Sequence, residues 1–234
     1  MRYWEIDFSR GLAVILMLIY HFFFDARYFG KIDFGGFYWY LFPRLIASMF
    51  IFISGLSIGI SCSRRRCTGR VLRRSLKLGS LALLITVLSY LLIGEGYVIF
   101  GILHFLSVAP LFALPLLSNR RALLLAALIV FALHPFISDL RVDSSAFLWL
   151  GIIPRGFYTL DYFPLIPWLG VFLSGALLSH FFKPAGELKF PLKNEICWLG
   201  RNSLTIYLIQ HPVLILLLHL IYGDILNIVF SEVF

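Results

Sequence analysis

Arg10 and His21 stand ten residues apart in an otherwise apolar run, Gly-Leu-Ala-Val-Ile-Leu-Met-Leu-Ile-Tyr. On a helix turning roughly 100° per residue, His21 returns to within about 20° of the Arg10 face, some 16 Å further along the axis. Asp7 lies one turn before Arg10, so one stripe carries an acid and a guanidinium at one end and an imidazole toward the other. With an unperturbed pKa of about 6.5, imidazole can deprotonate a hydroxyl or amine, or take an acyl group itself. The plainer alternative pairs Asp7 with Arg10 at a membrane edge and ties His21 to a neighbouring carbonyl.

Further polar residues interrupt apolar surroundings, where each needs a partner, a wet cavity or a task. His104 follows Phe100-Gly101-Ile102-Leu103, and Gly101 permits close approach of another backbone. In Asp161-Tyr162-Phe163-Pro164-Leu165-Ile166-Pro167-Trp168, two prolines impose an irregular helix entry. Asp161 there can cap the helix that follows or receive a proton, and Tyr162 and Trp168 can face a ligand. Near the end, Ser203, Tyr207 and His211 repeat at helical spacing beside Gln210, with Pro212 releasing the carbonyl of Leu208. Tyr207, Gln210 and His211 are candidate substrate contacts, although such stripes also join helices. Arg44 can serve a site or snorkel to headgroups. Arg64, Arg65 and Arg73 belong to a basic cluster ending at Lys77 that could hold phosphates.

Membrane helices must position these groups. The chain is 60% hydrophobic and 14% charged, too apolar for a water-facing domain of 234 residues. Its apolar runs are too long for barrel strands and lack their alternation. Spanning takes roughly 20 residues, and seven segments qualify: Phe8 to Phe24, Phe37 to Ser61, Leu78 to Ile93, Val98 to Leu117, Ala122 to Ile137, Phe163 to Phe182 and Ile196 to Tyr222. The third and fifth are the short ones. Ala146 to Ile153 reads as re-entrant or interfacial, and the tail from Ile225 to Phe234 as surface. The expected fold is one all-α polytopic bundle over residues 1–234.

Alternate loops collect fifteen Lys and Arg on one side, against Arg27, Lys31, Arg141 and Arg155 on the other. That asymmetry puts the N-terminus in the cytoplasm. The net charge of +8 then follows from topology and lipid contact, with no nucleic-acid partner required. Cys62, Cys67 and Cys197 fall on the reducing side, match no metal spacing and read as inert thiols.

His21, Arg44, His104, Asp161 and His211 thus share the outer half, while Arg10 and the Arg64 cluster share the inner end. A phosphorylated carrier such as coenzyme A has a shape that suits this segregation. Asp7, Arg10, Arg64, Arg65 and Arg73 would bind its phosphate end, Arg44 is a further candidate contact to the cofactor, and a thioester would reach His21.

Five motifs occur in the order of a known family: Asp7-Phe8-Ser9-Arg10-Gly11 before an apolar helix, Ile53-Ser54-Gly55, Phe100 to His104, Asp161 to Trp168, and Leu199-Gly200-Arg201-Asn202-Ser203 to Pro212. Together they resemble the heparan-α-glucosaminide N-acetyltransferase family over nearly the whole chain. That family is similar to the wider transmembrane acyltransferases, including the acyltransferase-3 enzymes, in which an arginine, ten residues and a catalytic histidine open the first helix. The resemblance implies an integral protein of the cell membrane that moves an acyl group, usually acetyl, from cytosolic acetyl-CoA. The acceptor would be a sugar, amino sugar or lipid-linked group on the far side. His21 would be catalytic with His104 and Asp161 as supports, and a second subunit could complete the shorter scaffold. The rival reading is a transporter or lipid scramblase whose polar faces line a conduit, against which the chain offers no inverted repeat.

Overall fold

A computed structural model describes residues 3–33, 36–62, 67–188 and 190–225. Its helices are α1 (Trp4–Tyr28), α2 (Phe37–Cys62), α3 (Thr68–Ile93), α4 (Ile102–Ala113), α5 (Arg120–Ser138), α6 (Leu165–Leu178), α7 (Lys193–Arg201) and α8 (Ser203–Tyr222). Each of the seven expected segments contains a helix. Five of these helices, α1, α2, α3, α5 and α8, are long and apolar enough to cross a membrane, and this is a helical membrane protein.

The short segments are not the expected ones. α3 begins ten residues before Leu78, because Val71, Ser75, Leu78 and Ala82 continue one buried face through the basic run while the charged side chains project away. α5 has 19 residues and starts at Asn119, whose side chain accepts from the backbone N–H groups of Arg121 and Ala122. α4 has 12 residues and continues into a 3-10 turn, Leu114–Leu116, while α6 has 14. Both are short because the residues before them pair as extended chain: Phe163 N donates to Phe100 O at 2.9 Å and Leu160 N to Gly96 O at 3.0 Å. The expected final span breaks at Asn202 into α7, which carries charges along its length, and the apolar α8.

Three further expectations are corrected. Ala146 to Ile153 forms no half-helix: a single 3-10 turn, Ser145–Phe147, leads into irregular chain. There the carbonyls of Trp149 and Leu150 accept from Leu165 N and Ile166 N. Ile225, expected at the surface, is fully buried with Ala26 and Leu218, and residues 226–234 lie outside the described residues. Cys62 and Cys67 are joined as a disulfide and are not free thiols. Their Cα atoms stand 5.1 Å apart, inside the range that a disulfide bridges. Cys197 is free and buried.

The chain divides into two compact units, Met1–Phe50 with Lys183–Phe234, and Ile51–Phe182, the boundary falling inside α2. In the first, α1 packs on α7 and α8. Glycines set the α1–α7 crossing: a Cβ on Gly11 would stand 2.0 Å from Ile196 O, and one on Gly200 1.8 Å from Asp7 O. Backbone therefore lies on backbone, the small-residue contact that joins helices in lipid. Further along, Val14, Met17 and Ile46 form a core flanked by Tyr207. In the second unit α3 packs on α4, and α6 on α4 and α5. Phe105, Leu123, Phe172 and Leu173 centre its core.

Candidate active site

α1 runs without a break from Trp4 to Tyr28, so Arg10 and His21 do share one helix face. His21 Nδ1 lies 2.9 Å from the carbonyl oxygen of Met17, one turn back. Since a carbonyl only accepts, Nδ1 carries the proton and the neutral ring keeps its Nε2 lone pair. The carbonyl contact weighed from sequence is therefore present, and it fixes the ring while leaving one nitrogen open.

Against this ring stands a second imidazole. The centroids of His21 and His211 are 4.9 Å apart and their planes are inclined by 85°, edge to face. His211 Nδ1 lies 3.2 Å from both Oδ1 and Oδ2 of Asp25. Asp25 is a buried carboxylate, whereas the His211 side chain is 46% exposed. α1 thus places His21 and Asp25 one turn apart, and α8 inserts His211 beside both. Sequence reasoning chose His21 and His211 and passed over Asp25, although the four-residue spacing from His21 was visible.

Gln210 precedes His211 and is 2% exposed, with Oε1 and Nε2 both buried and without a hydrogen-bond partner among the described residues. Amide atoms left this way cost a few kcal/mol unless water or a ligand meets them. Tyr207 packs against the Val14, Met17 and Ile46 core.

At the other end of α1, Arg10 and Asp7 flank the glycine crossing and are both half-buried. Arg44 is exposed and folds back on its own helix, Nη1 donating to Tyr40 O at 2.7 Å with the guanidinium carbon 3.7 Å from the Tyr40 ring centroid.

His104 and Asp161 come together in the second unit, at the start of α4. Ile102 N donates to Asp161 Oδ2 at 3.0 Å, so Asp161 caps α4 and not the helix that follows it. Gly101 leaves room for this contact, since a Cβ would stand 2.2 Å from that same oxygen. His104 Nδ1 accepts from Gly101 N at 3.2 Å, and its Nε2 lies 3.3 Å from Thr86 Oγ1. Thr86 Oγ1 in turn donates to Val98 O at 2.7 Å, leaving a lone pair to accept from His104. Both ring nitrogens of His104 are therefore engaged.

Tyr162 donates its hydroxyl to Leu148 O at 2.7 Å, and burial pushes its pKa up to about 12. Trp168 packs against the second unit's core, its ring 5.0 Å from that of Phe163. Arg73 is exposed on α3, and its neighbour Arg74 reaches Ser54 Oγ at 3.1 Å. Arg64 and Arg65 lie outside the described residues.

The family model described as heparan-alpha-glucosaminide N-acetyltransferase, catalytic, matches residues 2–212. The chain belongs to that family. No curated protein matches the chain, and no solved structure does. Membership in the heparan-α-glucosaminide N-acetyltransferase family makes the chain a transferase of the acetyltransferase class. The matched segment takes in α1 through α7, ends just past His211, and so contains His21, Asp25 and His211 alike.

Proposed function

We propose that this chain transfers an acetyl group from cytosolic acetyl-CoA to an amino sugar, or another amine or hydroxyl acceptor, at the outer face of the cell membrane. The observation that carries the reading is His21, held through Nδ1 by Met17 O with Nε2 left open, on the helix face that begins with Asp7 and Arg10.

Arg10 would bind the phosphates of the donor, with Asp7 one turn before it on the same helix. The three-turn rise from Arg10 to His21, about 16 Å, suits a pantetheine arm laid along α1. Its thioester would then arrive beside the open nitrogen. Gln210, whose amide has no partner among the described residues, supports a place for a polar group of the substrate. His104 and Asp161 would act as supports by fixing the start of α4, since their atoms already bind protein groups.

The test is transfer from radiolabelled acetyl-CoA to glucosamine by the full chain in proteoliposomes. His21→Ala is expected to abolish transfer, and Arg10→Ala to raise the KM for acetyl-CoA with a smaller effect on kcat. Full activity in the His21 variant would sink the assignment.

A further inference from the structure

The reaction above uses one imidazole, and a second, His211, stands against it. Their anchors differ. His21 is fixed by a neutral carbonyl dipole, which sets its tautomer but brings no counter-charge. His211 is fixed by a buried carboxylate that meets its Nδ1 with both oxygens, an arrangement that orients the ring and sets a carboxylate beside it. Neither Nδ1 is bonded to the other ring, so the two do not form a relay in which one histidine orients the other.

From this difference we propose that Asp25 and His211 are the acceptor-side base of the transferase, while His21 takes the acyl group. The inference rests on the acetyl transfer by His21 given above. It separates two tasks that a lone histidine would have to perform in turn. The ring without a counter-ion remains a neutral nucleophile, and the ring with one collects the proton.

In the first step His21 Nε2 attacks the thioester carbonyl, the new C–N bond forms, and the C–S bond breaks. The thiolate leaves and takes a proton from water. In the second, the acceptor nitrogen attacks the acyl carbon and the bond to His21 breaks. The proton lost by that nitrogen passes to His211 Nε2 and then to water, which restores both rings. The ring centroids are 4.9 Å apart, close enough for one acceptor to lie against both rings. The His211 side chain, 46% exposed beside the buried Asp25, is the more open of the pair to an arriving acceptor.

Two acceptors of different basicity test the assignment in the full chain. Glucosamine is protonated near neutral pH and has to lose a proton, whereas hydroxylamine attacks unprotonated and needs little help from a base. Removing a general base costs about 100-fold or more where it is needed. His211→Gln should therefore slow transfer to glucosamine by about 100-fold, Asp25→Asn should slow it less, and transfer to hydroxylamine, above a protein-free control, should fall only a few-fold in either variant. His21→Ala should lose both acceptors. Equal losses for both acceptors in His211→Gln, as a packing defect would give, overturn the base role, as does undiminished transfer to glucosamine. Retention of both activities in His21→Ala instead overturns the reading of His21, and an unsubstituted protein that acetylates neither amine overturns both.

Discussion

His211 Nδ1 sits 3.2 Å from each carboxylate oxygen of Asp25, across 186 residues of chain. The contact belongs to a series. Gly11 meets α7 at Gly200, His21 faces His211, and Lys31 Nζ bonds Asp224 Oδ2. Partner numbers rise together along both helices, so α1 and α8 run parallel.

Parallel first and last helices fix a parity. If both cross the membrane, the chain between them must bring α8 to start on the side where α1 started, and the total number of crossings is odd. Five long helices satisfy this, and so do seven when α4 and α6 cross as well. Reporters fused at the two ends of the chain should therefore lie on opposite sides. With fifteen of the twenty basic residues on one set of loops, the N-terminal reporter should be cytoplasmic. Two reporters active on the same side would contradict the parallel pairing.

The α1–α7 crossing yields a stability prediction. A methyl group at Gly200 would stand 1.8 Å from Asp7 O, which belongs to backbone and cannot swing aside. The helices would have to separate, at the cost of about 1–3 kcal/mol usual for overpacking. Gly200→Ala should lower the thermal midpoint in detergent, and because Arg10 borders the crossing it should also raise the KM for acetyl-CoA. An unchanged midpoint would show that the helices are not in backbone contact.

Helical periodicity made part of this arrangement legible. The Arg10–His21 stripe required only an uninterrupted α1, and lipid forces apolar runs into helices whatever their tertiary partners. Partners remote in sequence were not legible. Asp161 lies four residues before α6 and reads as its cap, yet it binds Ile102 N of α4, because extended pairing between residues 96–100 and 159–163 brings the two segments together. Asp25 looked like a charge near a helix end, and its meaning came from α8. The break at Asn202 was foreshadowed by the charges of Lys193, Glu195 and Arg201, but residues 196–222 also satisfied the length rule for one span.

Tyr162 predicts a response to alkali. Its folded pKa of about 12 lies above the usual 10.0, since burial disfavours phenolate. A raised pKa gives a contribution that is complete below pH 10 and lost as pH rises through about 12, where the hydroxyl can no longer donate to Leu148 O. Tyr162→Phe should cost about 1 kcal/mol at neutral pH and flatten that part of the alkaline decline. Matching pH–stability curves for the two proteins between pH 9 and 12 would refute the assignment, the window being set by the shift to about 12.

Thr86 offers the sharpest test of what His104 does. Its hydroxyl donates to Val98 O and faces His104 Nε2, whose other nitrogen accepts from Gly101 N. Thr86→Val keeps the shape and removes both side-chain bonds, leaving buried polar atoms unmet at about 1–3 kcal/mol. If His104 serves by holding the start of α4, then Thr86→Val and His104→Ala should lower the thermal midpoint together, and the double variant should lose less than the two single losses combined. Acetyl transfer should fall in proportion to the folded fraction. A His104→Ala protein that melts like the unsubstituted chain yet transfers no acetyl group would move His104 from support to chemistry.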